Sequence, residues 1–188
     1  MTGRGPITVT KLEAAERQFR QAVRLHFGGT DPVSAHTLAA AACEILRDVA
    51  KHRGVHHPFH NEILPLIPRG KRKELLRVLK EEQNFLKHAT TDPDESITLN
   101  PEYTELLLFE AARGHGALTG YETPETWVVI AWVCLKNPDV LVGGSFKELV
   151  TGPVAQSMSL KSPEVMVTVI DRLRAEHGDR LPIRRPLA

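Results

Sequence analysis

The stretch "KRKELLRVLKEEQNFLKHA", residues 71–89, pairs a run of cations with an amide and an imidazole, Asn84 and His88. Residues four apart on a helix are neighbours, so these two would end a polar stripe that also carries Lys73, Arg77 and Lys80. Cations in such a row can hold a phosphate backbone by charge. An imidazole that titrates near neutrality can act as general acid or base, with the amide orienting it or its substrate. The expected catalytic pair is His88 and Asn84, with Lys73, Arg77, Lys80, Gln83 and Lys87 as substrate-binding residues. A solvated helix face has the same composition, since cations near a helix C-terminus complement its dipole.

A second constellation is the loop "KHRGVHHPFHNE", with His52, His56, His57, His60 and Glu62. Imidazole and carboxylate donors suit zinc or another divalent ion, and His56, His57, His60 and Glu62 form the alternative metal set. The stretch lacks HExxH and CxxC, and Pro58 prevents one regular helix from aligning its members. A loop whose histidines pack or face solvent reads the same way, and no cofactor is expected. Arg47 and His52, five apart, diverge by about 140° on a continuous helix. His36 among alanines and His115 between Gly114 and Gly116 read as core or edge histidines, the glycines marking an irregular helix or a close backbone approach. Asp92, Asp94 and Glu95 could bias His88, but "TTDPDES" reads first as a turn. "LVGGS" has neither the P-loop lysine nor a dinucleotide fingerprint.

These residues must be positioned by helices. A first helix is expected from about Lys11 to Phe27, stopped by Gly28-Gly29. Asp31-Pro32 opens a second, whose alanines at 39–42 allow close helix approach. Pro58, Pro65 and Pro68 break the next stretch into short helical pieces and turns. Beyond the basic helix, Asn100-Pro101 caps a segment that is apolar almost all round and hence central. Thr123-Pro124 caps "WVVIAWVCL", which reads as a buried helix, with a strand as the alternative. Gly143-Gly144 opens a loop-plus-helix region, and Ser162-Pro163 caps a last amphipathic helix through about His177. The expectation is an all-α bundle of about four longer helices with short helices added, one domain over 1–188, with 1–10 and 180–188 loose.

Composition agrees with a soluble globular protein. The 188 residues are 41% hydrophobic and 25% charged, and Lys+Arg 24 nearly balance Asp+Glu 23. Any basic surface for nucleic acid must therefore be local. Cys43 and Cys134 lie in apolar runs, as reduced buried thiols would. The N-terminus has no apolar signal core, and the nine-residue "WVVIAWVCL" is far below the roughly 20 residues of a membrane span. A cytoplasmic protein with no membrane association is expected.

The "QNFLKH" stretch resembles the short signature of the HEPN superfamily, all-α proteins many of which are metal-independent ribonucleases in toxin–antitoxin, abortive-infection and CRISPR-linked systems. Asn84 and His88 match its polar residue and histidine, and Gln83 stands at the arginine position. Glutamine lacks the fixed charge that would stabilise a phosphorane-like transition state. The resemblance implies a HEPN-like bundle that is a homodimer with its groove between two copies. It also implies RNA as partner, either cut weakly or bound without cutting, and a cognate antitoxin-like protein. "HTLAAAACEILRD" and "NFLKHA" also resemble stretches of a family of small bacterial proteins to which no activity attaches. Two readings from the residues alone stand beside it: a helical protein-interaction or ligand-sensing module, and a His-loop divalent-metal protein.

Overall fold

The computed structural model describes residues 5–89, 93–137 and 162–182. The expected loop-plus-helix after Gly143-Gly144, Asp92 of the acidic turn and the tail beyond Pro182 lie outside the described residues.

The chain is all-α, with helices where the cap residues place them. Helix α1 spans Lys11–Phe27 and opens on a reciprocal capping box between Thr10 and Glu13. Helix α2 spans Pro32–Arg53, with the Asp31 carboxylate accepting from the Ser34 N–H. It ends on Gly54 at φ 63°, a left-handed cap that glycine takes without a Cβ penalty. The proline-broken stretch forms a π turn, Phe59–Ile63, and a 3₁₀ turn, Leu64–Leu66. Helix α3 follows at Arg69–Phe85, α4 at Pro101–Thr119, α5 at Pro124–Lys136 and α6 at Pro163–His177. "WVVIAWVCL" is thus helical: the Thr123–Thr126 capping box and a buried face override the β-branched preference.

Helices α1, α2, α4, α5 and α6 form the core. Ala35, Ala39, Ala40 and Ala42 are buried, so α2 packs closely between α1 and α4. Phe19, Phe27, Leu46, Leu108, Met166 and Ile170 are each below 2% exposed. Burial of that degree is worth about 1.5–3 kcal/mol per large side chain. Helix α4 touches α1, α2, α5 and the π turn, as its all-round apolar pattern requires. Cys43 and Cys134 are buried free thiols.

Two expectations change. The basic helix ends at Phe85 rather than running through Ala89, and Leu86 caps it by donating to Glu82 and Asn84 carbonyls. Its apolar arc is only partly covered: Leu79 is buried, whereas Leu75, Val78, Phe85 and Leu86 are half-buried and Leu76 is exposed. The reason is that α3 packs chiefly against α2 and stands away from the central layer. The chain after Arg180 is also not loose at its start, because Leu181–Pro182 pairs antiparallel with Tyr121–Glu122. Leu181 is buried there, and the Arg180 guanidinium lies 4.7 Å from the Tyr121 ring centre. Among the described residues no helix is long and apolar enough to cross a membrane.

Candidate metal centre

The most unusual chemistry sits where the π turn meets α4 and α2. Pro58 precedes the turn, which carries His60, and His57 stands just before it. Their rings meet edge to face at 4.9 Å between centres. Asn61 fixes the entry, its side-chain oxygen accepting from the His57 N–H while its own N–H donates to the His57 carbonyl. Phe59 points the other way into the core and packs edge-on against Phe109 of α4.

Helix α4 supplies the third donor. Glu110 is 2% exposed, and its Oε1 lies 2.8 Å from His60 Nε2 and 3.6 Å from Arg47 Nε of α2. One turn further along α4, residue 114 is glycine, and a Cβ there would meet His57 Nε2 at 2.5 Å. The missing side chain is therefore the space the His57 ring occupies beside Glu110. One donor atom each from His57, His60 and Glu110 lies within 4.8 Å of the others.

His57 is 5% exposed, and neither of its ring nitrogens has a hydrogen-bond partner among the described residues. A buried polar atom left unpaired costs about 1–3 kcal/mol. Burial, with help from the neighbouring His60, pushes its pKa down to about 4, so the imidazole is neutral and carries a free lone pair at physiological pH. Two imidazoles and a carboxylate form a donor set for Zn²⁺ or a comparable divalent transition metal. An ion about 2.1 Å from each donor needs donors about 3.4 Å apart in tetrahedral geometry, so the His60–Glu110 pair, 2.8 Å apart, would open while donors as far apart as 4.8 Å would close. His60 is 23% exposed at its side chain and Arg47 47%, so the cluster is reached from the Arg47 side. Cys43 lies one turn before Arg47, but burial and the Glu110 charge push its thiol up, and its S–H is spent on the Leu107 carbonyl.

Of the four residues expected as metal donors, the structure joins His57 and His60 and separates the other two. His56 and Glu62 pair with each other at 2.8 Å on the surface. Glu110 of α4 is the third donor instead, with Arg47 beside it as a counter-charge. A carboxylate inside a segment as apolar as "LLLFEAA" was itself a signal, since a buried charge needs a partner. Arg47 and His52 diverge as expected, and His52 lies on the outer face of α2.

The stripe of α3 is assembled differently from expectation. Asn84 and His88 are exposed, and His88 sits just beyond the helix with its N–H on the Asn84 carbonyl. Neither side chain has a hydrogen-bond partner among the described residues. Gln83 faces inward and is buried, donating to Glu44 of α2 at 3.0 Å. Lys87 reaches the same Glu44 oxygen at 3.2 Å, and Lys80 donates to the Gln83 side-chain Oε1. Arg77 is bound by Glu81 at 2.6 Å, leaving Lys73 exposed and unpaired among the described residues.

The other buried polar groups are structural. His36 Nδ1 lies 3.0 Å from the Thr104 hydroxyl, and its Nε2 faces Glu82 at 3.5 Å. His115 and the Tyr121 hydroxyl both bind Glu16, which Arg20 also pairs. Glu125, wholly buried, is held through both oxygens by Arg174 and flanked by Arg24. Compared with models of known families, with curated proteins and with solved structures, the chain matches none.

Proposed function

We propose that this chain is a divalent transition-metal protein whose ion is held by His57, His60 and Glu110. The observation that carries the reading is the His57 ring, buried with both nitrogens unpartnered in a space that Gly114 leaves open beside a buried carboxylate. Three protein donors leave a tetrahedral ion one open position, as in catalytic rather than structural sites. Calorimetric titration of chelator-treated protein with Zn²⁺ tests it. One ion should bind, His57→Ala, His60→Ala and Glu110→Ala should each abolish or greatly weaken binding, and His56→Ala should leave it intact. Absence of stoichiometric binding, or loss on His56→Ala alone, refutes the reading.

A second reading is the RNA-directed, HEPN-like dimer, cutting weakly or binding without cutting. It is favoured by one observation: the Asn84 and His88 side chains are both exposed and free of hydrogen bonds to described residues. Against it, Glu44 and Glu81 occupy Lys87, Gln83 and Arg77, the groups expected to hold phosphate. Loss of RNA binding or cleavage in His88→Ala at unchanged thermal stability would support it, and unchanged RNA behaviour would dismiss it.

A further inference from the structure

Arg47 has a single partner among the described residues, the Glu110 oxygen 3.6 Å from its Nε. That oxygen also carries the hydrogen bond to His60. On the metal reading, on which the present inference rests, the same carboxylate becomes a ligand and its charge is claimed by the ion. The guanidinium then stands next to a like charge with no counter-charge of its own. Counting charges gives the consequence: a divalent ion, one carboxylate and two neutral imidazoles sum to a single positive charge, and Arg47 adds a second. The Cys43 thiol is protonated and engaged with the Leu107 carbonyl, so it supplies no compensation.

A half-exposed arginine at the mouth of a buried cluster is free to turn its fork outward, because nothing else holds it. The planar fork binds two oxygens of one oxyanion side by side, while the open coordination position takes a third. We infer that the centre is built to bind a doubly charged oxyanion of phosphate type, one oxygen on the ion and the others on Arg47. The ligand's two negative charges neutralise the site, which is reached past the half-exposed Arg47. Carboxylate monoanions would leave one positive charge uncompensated and bind more weakly.

Phenylphosphonate is a suitable probe, titrated calorimetrically into protein loaded with one equivalent of Zn²⁺ and into the same protein after chelation. The zinc-loaded protein should bind it, the chelated protein should not, and benzoate should bind at least tenfold more weakly. Arg47→Gln should weaken phenylphosphonate tenfold or more while leaving zinc affinity unchanged or higher, since a competing cation is gone. Arg47→Lys should recover only part, for want of the fork. Equal phenylphosphonate affinity in Arg47→Gln, or binding that survives chelation, overturns the inference. If zinc binds and phenylphosphonate does not, only the oxyanion site falls; if zinc does not bind, the metal reading falls and takes this one with it.

Discussion

Gly114→Ala isolates the geometry of the cluster without touching a donor. The added Cβ would sit 2.5 Å from His57 Nε2, about 1 Å inside ordinary contact distance, where repulsion dominates. The methyl is fixed to a central helix, so the ring must move by about that amount. Metal–nitrogen bonds of about 2.0–2.1 Å tolerate errors of about 0.2 Å. One of three ligands is therefore lost or badly strained, and zinc affinity should fall about 100-fold, equivalent to about 2.7 kcal/mol. Folding should suffer less. Overpacking costs about 1–3 kcal/mol, while replacing a mid-helix glycine with alanine returns about 1 kcal/mol of helix propensity. The expected net destabilisation is at most about 2 kcal/mol, which a chain of this size survives.

The assay is paired: zinc titration by calorimetry and urea unfolding of the chelated protein, wild type beside Gly114→Ala. A large drop in zinc affinity with a small change in unfolding midpoint supports the reasoning. Unchanged zinc affinity would refute it, because the His57 ring would then not depend on the space that residue 114 leaves.

Two further outcomes concern the scaffold. Hydrogen bonds from His115 and Tyr121 hold the Glu16 carboxyl down to about 2, and at Glu105 burial is outweighed by His26 and Lys136, again to about 2. Both folded pKa values lie below the unfolded value, so their stabilisation is full above about pH 4.5 and is lost as pH falls toward 2, up to about 3 kcal/mol each; urea midpoints at pH 5 and pH 3 should differ less in Glu16→Gln than in wild type. Arg174→Ala should cost about 3–5 kcal/mol, more than Glu125→Ala, because it strands a wholly buried carboxylate with only Arg24 at 3.5 Å, whereas Arg174 and Arg24 keep partial access to water; chemical denaturation that ranks the two variants the other way contradicts this.

Helix positions were legible because their signals are local. Asp31, Asn100 and Thr123 cap by reaching residues two or three away, and each does so in the structure, whereas Ser162, read as a cap in the same way, makes no side-chain cap bond to the α6 backbone. The burial of α4 was legible from an apolar pattern with no polar face. What failed was non-local. Nothing in residues 71–89 says that Gln83 turns toward Glu44, 39 positions earlier in the chain, or that α3 leaves its apolar arc half-covered. Local spacing likewise grouped His56 and Glu62 with His57 and His60, although the turn sends the first two outward. Glu110 lies 50 positions beyond His60 and is joined to it only because α4 is central. The glycine between two helical turns was legible as a close approach, but not as an approach by His57.

The buried polar groups of this fold divide by whether a proton can close them. Glu125 has its arginines, and Glu16 has His115, Tyr121 and Arg20, so each charge meets donors that match it. His36 Nε2 and Glu82 Oε2 lack partners, but they face one another at 3.5 Å. Burial lowers the one pKa and raises the other, and a single proton between them completes the pair after a slight approach. His57 has no such closure. Its two nitrogens are both open, its nearest polar neighbours are another imidazole and a carboxylate already bonded to it, and burial disfavours protonating the ring. A group able to accept lone pairs from His57, His60 and Glu110 together satisfies all three at once, and a divalent ion does that where a proton cannot. Such an ion, binding only the folded chain, would stabilise it by RT ln(1 + [L]/Kd), about 2.7 kcal/mol at a hundredfold excess over Kd, and would tie the π turn to α4 through its ligands.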